Sequence, residues 1–349
     1  MDINAFHVFY SPKKEERNFK DYFVLTTILS ALQWRKLHSG NLTFYTDRFT
    51  LDYFKKYHFN DIWHNCDDTT LDNEIDPNHF DVNTFYAAGK FTAFIHEKCP
   101  VAMIDIDLII WHNLYSLLKR NVSVFTHYEN ASPRTIWYEK KERLHKAKNY
   151  EFHKNWDFSI KAVNTSFVYF SDEKLKDYYV NCAFEYMYNN FIDKQRNNIG
   201  NPEILFVEQR LLPMCYKDFN VTNSTTPLLN ITWNPPQGRF VNERHNNWKY
   251  YKVDNNSIAT HLWIAKSDIE NNKLYRNYLC CRLIEKIIEI DDRYYDLFAN
   301  NPSIYPYIKL LENYKTTNKL IELKMASNIL YLKKEKKLNK SMMRRFFRL

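Results

Sequence analysis

Apolar positions along this chain fall into blocks whose spacing alternates between the strand period of two and the helix period near 3.6. Residues 4–10 (Asn-Ala-Phe-His-Val-Phe-Tyr) predict a first strand closed by Ser11-Pro12. Residues 19–38 place Phe23, Ile28, Leu29, Leu32 and Leu37 at helical spacing, with Gly40 as the stop. Residues 42–46 predict a second strand ending at Asp47, 51–57 a short helix, 61–64 a third strand and 85–96 a helix. Residues 101–111 (Val-Ala-Met-Ile-Asp-Ile-Asp-Leu-Ile-Ile-Trp) are almost continuously apolar, as in a strand buried on both faces. Strand–helix alternation at this spacing predicts an α/β fold with a mostly parallel central sheet flanked by helices.

The second half continues the pattern. Strands are expected at 122–125 and 162–170, with a polar, irregular segment between them. Helices are expected at 173–192 and 202–216. A turn-rich stretch containing Trp233 leads to a last strand at 257–263. From Leu274 onward the chain reads as helical, with a break at 300–307. The expected organisation is an α/β domain over 1–268, a helical extension over 269–332 and a basic tail over 333–349.

Asp105 and Asp107 interrupt the most apolar strand. Read as strand residues they point the same way, and two carboxylates on one buried face repel and are costly to desolvate. A hard divalent cation offsets that cost and leaves room for substrate phosphates. Ligands of parallel α/β sheets sit at the carboxyl ends of strands. Ser11, Asp47 and the Asp105/Asp107 pair all lie at such predicted ends and are expected to share a crevice.

Composition narrows the alternatives. There are only four glycines, none close together, which argues against a Walker loop or a dinucleotide fingerprint. Side chains and a metal must then hold any diphosphate. The six cysteines form no Cys-x-x-Cys pair, so a zinc knuckle is not expected. No leader-like N-terminus or membrane-length apolar run is seen, so a cytoplasmic protein with reduced thiols is expected. The formal charge is +8, of which residues 333–349 carry +7 and the remainder +1. The basic balance belongs to that tail, so no nucleic-acid partner is expected. Its mixture of Lys, Arg, Phe and Met predicts peripheral attachment to an anionic inner membrane face.

The order of these features resembles a GT-A glycosyltransferase: an α/β start, Asp105-Ile-Asp107, Asn164-Thr-Ser-Phe-Val-Tyr-Phe170, Glu208-Gln209, and a late Thr260-His-Leu-Trp263. It is most similar to the retaining, sugar-nucleotide-dependent glycogenin and lipopolysaccharide galactosyltransferase type, over roughly residues 3–266. The resemblance implies a hexosyltransferase moving a sugar from a nucleotide-diphosphate donor, UDP-sugar favoured, to a glycan or lipid-linked glycan acceptor, in cell-surface polysaccharide or lipopolysaccharide synthesis. Asp105, Asp107 and His261 would hold Mn²⁺ or Mg²⁺. Phe9, Tyr10 and Ser11 would hold the nucleoside end, with Asp47 near it and Lys90 reaching nucleotide or phosphate. Asn164 and Ser166 would contact the transferred sugar, and Glu208 and Gln209 would lie near the anomeric carbon. Trp233 and Trp137 are candidate platforms for an acceptor sugar. Thr165, and Ile264-Ala265, stand where that family often has glycine. Two other readings stay open: a haloacid-dehalogenase-like phosphatase, with Asp291-Asp292 as its late acidic motif, and a non-catalytic binding protein on the same fold.

Overall fold

The computed structural model describes residues 2–10, 19, 21–79, 81–130, 141, 144, 146, 147, 149–190, 202–234, 239–241, 257–262 and 266–317. Ser11, Trp137, Trp263, Ile264, Ala265 and the basic tail lie outside them. In chain order the elements are β1 (Asn4–Phe9), α1 (Asp21–Leu37), β2 (Leu42–Thr46), α2 (Arg48–Lys56), β3 (Asn65–Asp67), α3 (Thr70–Glu74), α4 (Ala88–His96) and β4 (Val101–Ile104). Next come β5 (Leu108–Ile110), α5 (Tyr115–Leu118), β6 (Ser123–Glu129), β7 (Val163–Phe170), α6 (Glu173–Asn189), α7 (Pro202–Leu205) and α8 (Leu211–Asp218). The last are β8 (Thr225–Pro227), β9 (Thr232–Asn234), β10 (Arg239–Val241), β11 (Ala259–His261), α9 (Lys266–Asn271), α10 (Lys273–Ile290), α11 (Tyr294–Ala299) and α12 (Tyr305–Thr317).

The chain divides into two compact units, residues 1–18 with 30–261, and residues 19–29 with 262–349. The first holds the sheets. Its main sheet runs β10-β9-β6-β7-β4-β1-β2-β3, with β8 beside β6. Strands β1, β2, β3 and β4 are parallel, β7 is antiparallel to both β4 and β6, and β6 is parallel to β8 and β9. The sheet is thus mixed but mostly parallel, as the alternation predicts. All four residues of β4 and all eight of β7 are buried, which is why these strands read as apolar runs. Phe6 of β1 packs edge-on against Phe94 of α4 at 4.9 Å, and Phe91 of α4 against Tyr179 of α6 at 5.3 Å. Each fully buried ring of this kind contributes about 2–3 kcal/mol.

Gly89 lets α4 approach β1 closely, since a Cβ there would stand 3.1 Å from Val8 Cγ1 and 3.4 Å from Tyr10 Cβ. That seating fixes the next residue, Lys90. In the second unit Asp21 is gripped by Arg276, with Nη2–Oδ1 at 2.8 Å, and by the Tyr307 hydroxyl.

Several predicted elements differ from the structure. The predicted strand over 61–64 is a single 3₁₀ turn, Asn60–Ile62, followed by β3. Strand β6 continues through Thr126, His127 and Glu129, within the stretch whose polarity predicts an irregular segment. Those polar residues are buried and bonded to β7, so the ladder runs on through them. The predicted helix over 202–216 is interrupted by a π-helical turn, Phe206–Arg210. The late strand does not join the main sheet; β11 pairs antiparallel with the short β5.

Candidate functional site

The acidic pair is not on a strand. Strand β4 ends at Ile104, and the Leu108 N–H bonds the Asp105 carbonyl at 2.9 Å, closing a turn over Asp105-Ile106-Asp107-Leu108. A ladder position would bury both carboxylates without donors. The turn instead lifts them off the carboxyl end of β4, and burial resumes at β5. Asp105 is half-buried and Asp107 is buried.

A bulge in β7 completes the floor of this site. Phe125 pairs with Val168 but His127 pairs with Asn164, so extra β7 residues sit opposite Thr126. Bulges re-aim side chains and carbonyls. Here the Ser166 carbonyl accepts from the Asp105 N–H at 2.7 Å, and Ser166 Oγ lies 2.8 Å from Thr126 Oγ1. Thr126 Oγ1 also accepts from the Phe167 N–H at 2.6 Å.

His261 arrives on β11, directly opposite Leu108. Its Nε2 is 3.6 Å from Asp107 Oδ1, and its Nδ1 is 3.3 Å from Ser166 Oγ. With Nε2 offered as a ligand, Nδ1 carries the proton and donates to Ser166, the usual arrangement behind a metal-binding imidazole. Ligand atoms of Asp105, Asp107 and His261 lie within 4.8 Å of one another, the one such group of three among the described residues. Atoms bound to one ion at roughly 2.0–2.2 Å stand up to about 4.4 Å apart across it, so a shift of a few tenths of an ångström in these side chains brings the donor set round a single divalent cation.

Lys90 lies beside that group. Its Nζ is 2.6 Å from Asp105 Oδ1 and 2.5 Å from Glu208 Oε1. Glu208 sits on the π-helical turn, a distortion often found at functional sites, and the Tyr179 hydroxyl donates to its carbonyl at 2.8 Å. Burial works to lower the Lys90 pKa, but the two carboxylates outweigh it and hold the ammonium charged. Burial raises the Asp105 pKa; Lys90 opposes this, while Asp107 and Glu208 add to it.

The remaining predicted residues are placed as follows. Phe9 ends β1 and Tyr10 follows it, both half-buried. Asp47 is fully buried and caps α2, accepting from the Thr50 N–H at 2.9 Å and the Thr50 hydroxyl at 3.1 Å. Asn164 is fixed at both ends of its amide: Oδ1 accepts from the Ser166 N–H at 3.1 Å, and Nδ2 donates to Glu129 Oε1 at 3.1 Å. Ser166 is buried behind His261, and Gln209 is half-buried beside Glu208. Trp233 is buried on β9.

Two further residues, which no sequence motif marks, stand beside the site. Glu129 is buried, and its Oε2 has no hydrogen-bond partner among the described residues. Burial pushes its pKa well above the usual carboxylate range, only partly countered by Asn164. Tyr86 lies in the turn that leads into α4, four residues before Lys90. The residue as a whole is 53% exposed, yet its hydroxyl is crowded: burial raises its pKa, Glu208 adds to this and Lys90 opposes it.

No protein-family model matches this chain, and no curated protein matches it. Solved structures do match. The galactosyltransferase LgtC in complex with donor and acceptor sugar analogues is 10% identical, with 74% of this chain and 86% of that one covered, at a TM-score of 0.39. Mouse xyloside xylosyltransferase 1 is 13% identical, with 62% and 83% covered, at 0.35. The 4-diphosphocytidyl-2C-methyl-D-erythritol synthase of Anaerococcus prevotii is 9% identical, with 67% and 86% covered, at 0.32.

Proposed function

We propose that this protein is a metal-dependent glycosyltransferase of the GT-A type, moving a hexose from a nucleotide-diphosphate donor, UDP-sugar favoured, to a glycan or lipid-linked glycan. The observation that carries this reading is the group Asp105, Asp107 and His261, gathered at the carboxyl end of β4 with Lys90 and Glu208 alongside. Two carboxylates and an imidazole suit Mn²⁺ better than Mg²⁺. When bound, that ion neutralises charge on a departing diphosphate.

The chain's own residues do the rest. Lys90 opposes the upward pull of burial, Asp107 and Glu208 on the Asp105 pKa and holds the Glu208 carboxylate in place beside the site. Glu208, with Gln209 next to it, stabilises positive charge at the anomeric carbon, and transfer proceeds with retention. Asn164, its amide already oriented by Ser166 and Glu129, presents its remaining N–H to the transferred sugar. Ser166 acts through His261. Phe9 and Tyr10, at the end of β1, hold the nucleoside. Pre-oriented charges and dipoles of this kind lower a barrier without reorganising during the reaction.

No observation favours the phosphatase reading. Asp291, the first residue of its late acidic motif, is held by Arg293 at 2.6 Å. Among the described residues no helix is long and apolar enough to cross a membrane. We place the protein in the cytoplasm, with its basic tail on the inner membrane face. Equal flotation with anionic liposomes of the full chain and a form ending at Leu332 would contradict that placement.

Turnover tests the assignment. The purified chain is incubated with UDP-, GDP- and ADP-hexoses and Mn²⁺, and nucleoside diphosphate release is measured beside Asp107→Ala. Metal-dependent release from one donor class, lost in the variant, is expected. Release from none, or equal release by the variant, overturns it.

A further inference from the structure

A buried hydrogen-bonded chain runs under the acidic turn. Trp63 Nε1 lies 3.1 Å from His7 Nδ1, Ser30 Oγ lies 3.1 Å from His7 Nε2, and Ser30 Oγ lies 2.6 Å from the Leu108 carbonyl oxygen. His7, Ser30, Trp63 and Leu108 are all buried. Each link has one allowed direction. An indole N–H only donates, so His7 Nδ1 accepts. The neutral imidazole then carries its proton on Nε2 and donates to Ser30. Ser30 in turn gives its own proton to Leu108, because a carbonyl can only accept.

Leu108 is where this chain meets the site. Its N–H closes the acidic turn on Asp105, Asp107 precedes it in sequence, and His261 stands opposite it in the β5–β11 ladder. His7 itself pairs with Ile104, the last residue before the turn. Fixing the Leu108 peptide therefore fixes Asp107 and His261 together. Core packing alone does not demand a histidine and a serine here, since replacing a bonded pair by apolar groups of the same shape can be nearly neutral.

We infer that Trp63, His7 and Ser30 are positioning residues for the Asp105–Asp107–His261 centre, setting the separation of its donors through the Leu108 carbonyl. This rests on the reading of that group as a metal site. Residues behind metal ligands typically govern 10- to 100-fold in affinity.

The test is Mn²⁺ binding to the full chain without donor, followed by loss of the free-ion EPR signal, with metal-free melting temperatures measured in parallel. Ser30→Ala removes the bond to Leu108, and Trp63→Phe removes the first donor while keeping a ring in place. Ser30→Ala is expected to weaken Mn²⁺ binding about tenfold or more, and Trp63→Phe by less, in the folded protein. A purely structural role lowers the melting temperature and leaves the affinity of the folded protein unchanged; that result overturns the inference. Should Ser30→Ala not fold, Trp63→Phe decides alone, wild-type affinity overturning the inference. Absence of Mn²⁺ binding by the wild type instead overturns the metal reading, and the inference falls with it.

Discussion

The Lys90 ammonium lies 2.5 Å from the Glu208 carboxylate, although 118 positions separate them in the chain. The same nitrogen touches Asp105 at 2.6 Å. One cation thus ties the helix before the acidic turn to the π-helical turn, and it keeps two carboxylates within reach of the same ligand.

Removing that cation exposes the repulsion it covers. Lys90→Met is expected to destabilise the metal-free protein by about 3 kcal/mol, the usual cost of stripping one partner from a buried ion pair. Divalent metal then replaces the lost charge. Melting curves with and without MnCl₂ should show a larger metal-induced rise for Lys90→Met than for wild type. An equal rise would mean that Lys90 and the metal do not share the Asp105 charge.

Ser166 Oγ lies 3.3 Å from His261 Nδ1 and accepts its proton when Nε2 serves as a ligand. Ser166→Ala frees the imidazole to rotate and to change tautomer. Mn²⁺ affinity, read by calorimetry, is expected to fall about tenfold, with about 1 kcal/mol of stability lost through the Thr126 and His261 hydrogen bonds. Unchanged affinity would place His261 outside the donor set.

His38 provides a pH prediction. Its Nε2 accepts from the Leu114 N–H at 2.9 Å and its Nδ1 donates to the Trp34 carbonyl at 3.3 Å. Burial pushes its pKa down to about 4, against the smaller opposing effect of the Trp34 carbonyl. A second ring proton would also collide with the Leu114 N–H. The folded pKa lies below that of an unfolded histidine, about 6.5, so the unfolded chain takes up the proton first. The stabilisation is whole above about pH 6.5 and declines as pH falls toward 4, by up to ~1.4 kcal/mol per unit. In urea melts, the advantage of wild type over His38→Gln should shrink over that window; parallel curves would contradict it.

Gly40 has φ near 110°, and a Cβ there would run into the Ile3 backbone. Gly40→Ala is expected to cost about 3 kcal/mol, from the left-handed backbone and the collision together. A variant with wild-type stability in urea would show that this turn relaxes freely.

Much of the first unit was legible because its strands are buried on both faces. The apolar runs of β4 and β7 need no partner information to be recognised. The acidic turn was not legible. A period-two reading carries Asp105 and Asp107 along with their neighbours, and only the cost of burying two carboxylates in a ladder, weighed against the three-residue β5, ends the strand at Ile104. Strand β6 was cut short for the opposite reason. His127 and Glu129 look like loop residues until β7 supplies their neighbours. Lys90 alone on a helix reads as solvated, and its burial follows from Glu208, far along the chain. The π-helical turn leaves no periodic trace in the sequence.

The most direct measurement is calorimetric titration of UDP into wild type and Asp107→Ala, each with and without Mn²⁺. Binding that needs Mn²⁺ and vanishes in the variant is expected if Asp105, Asp107 and His261 hold the ion that receives the diphosphate. UDP binding that ignores both the metal and the substitution would contradict that assignment.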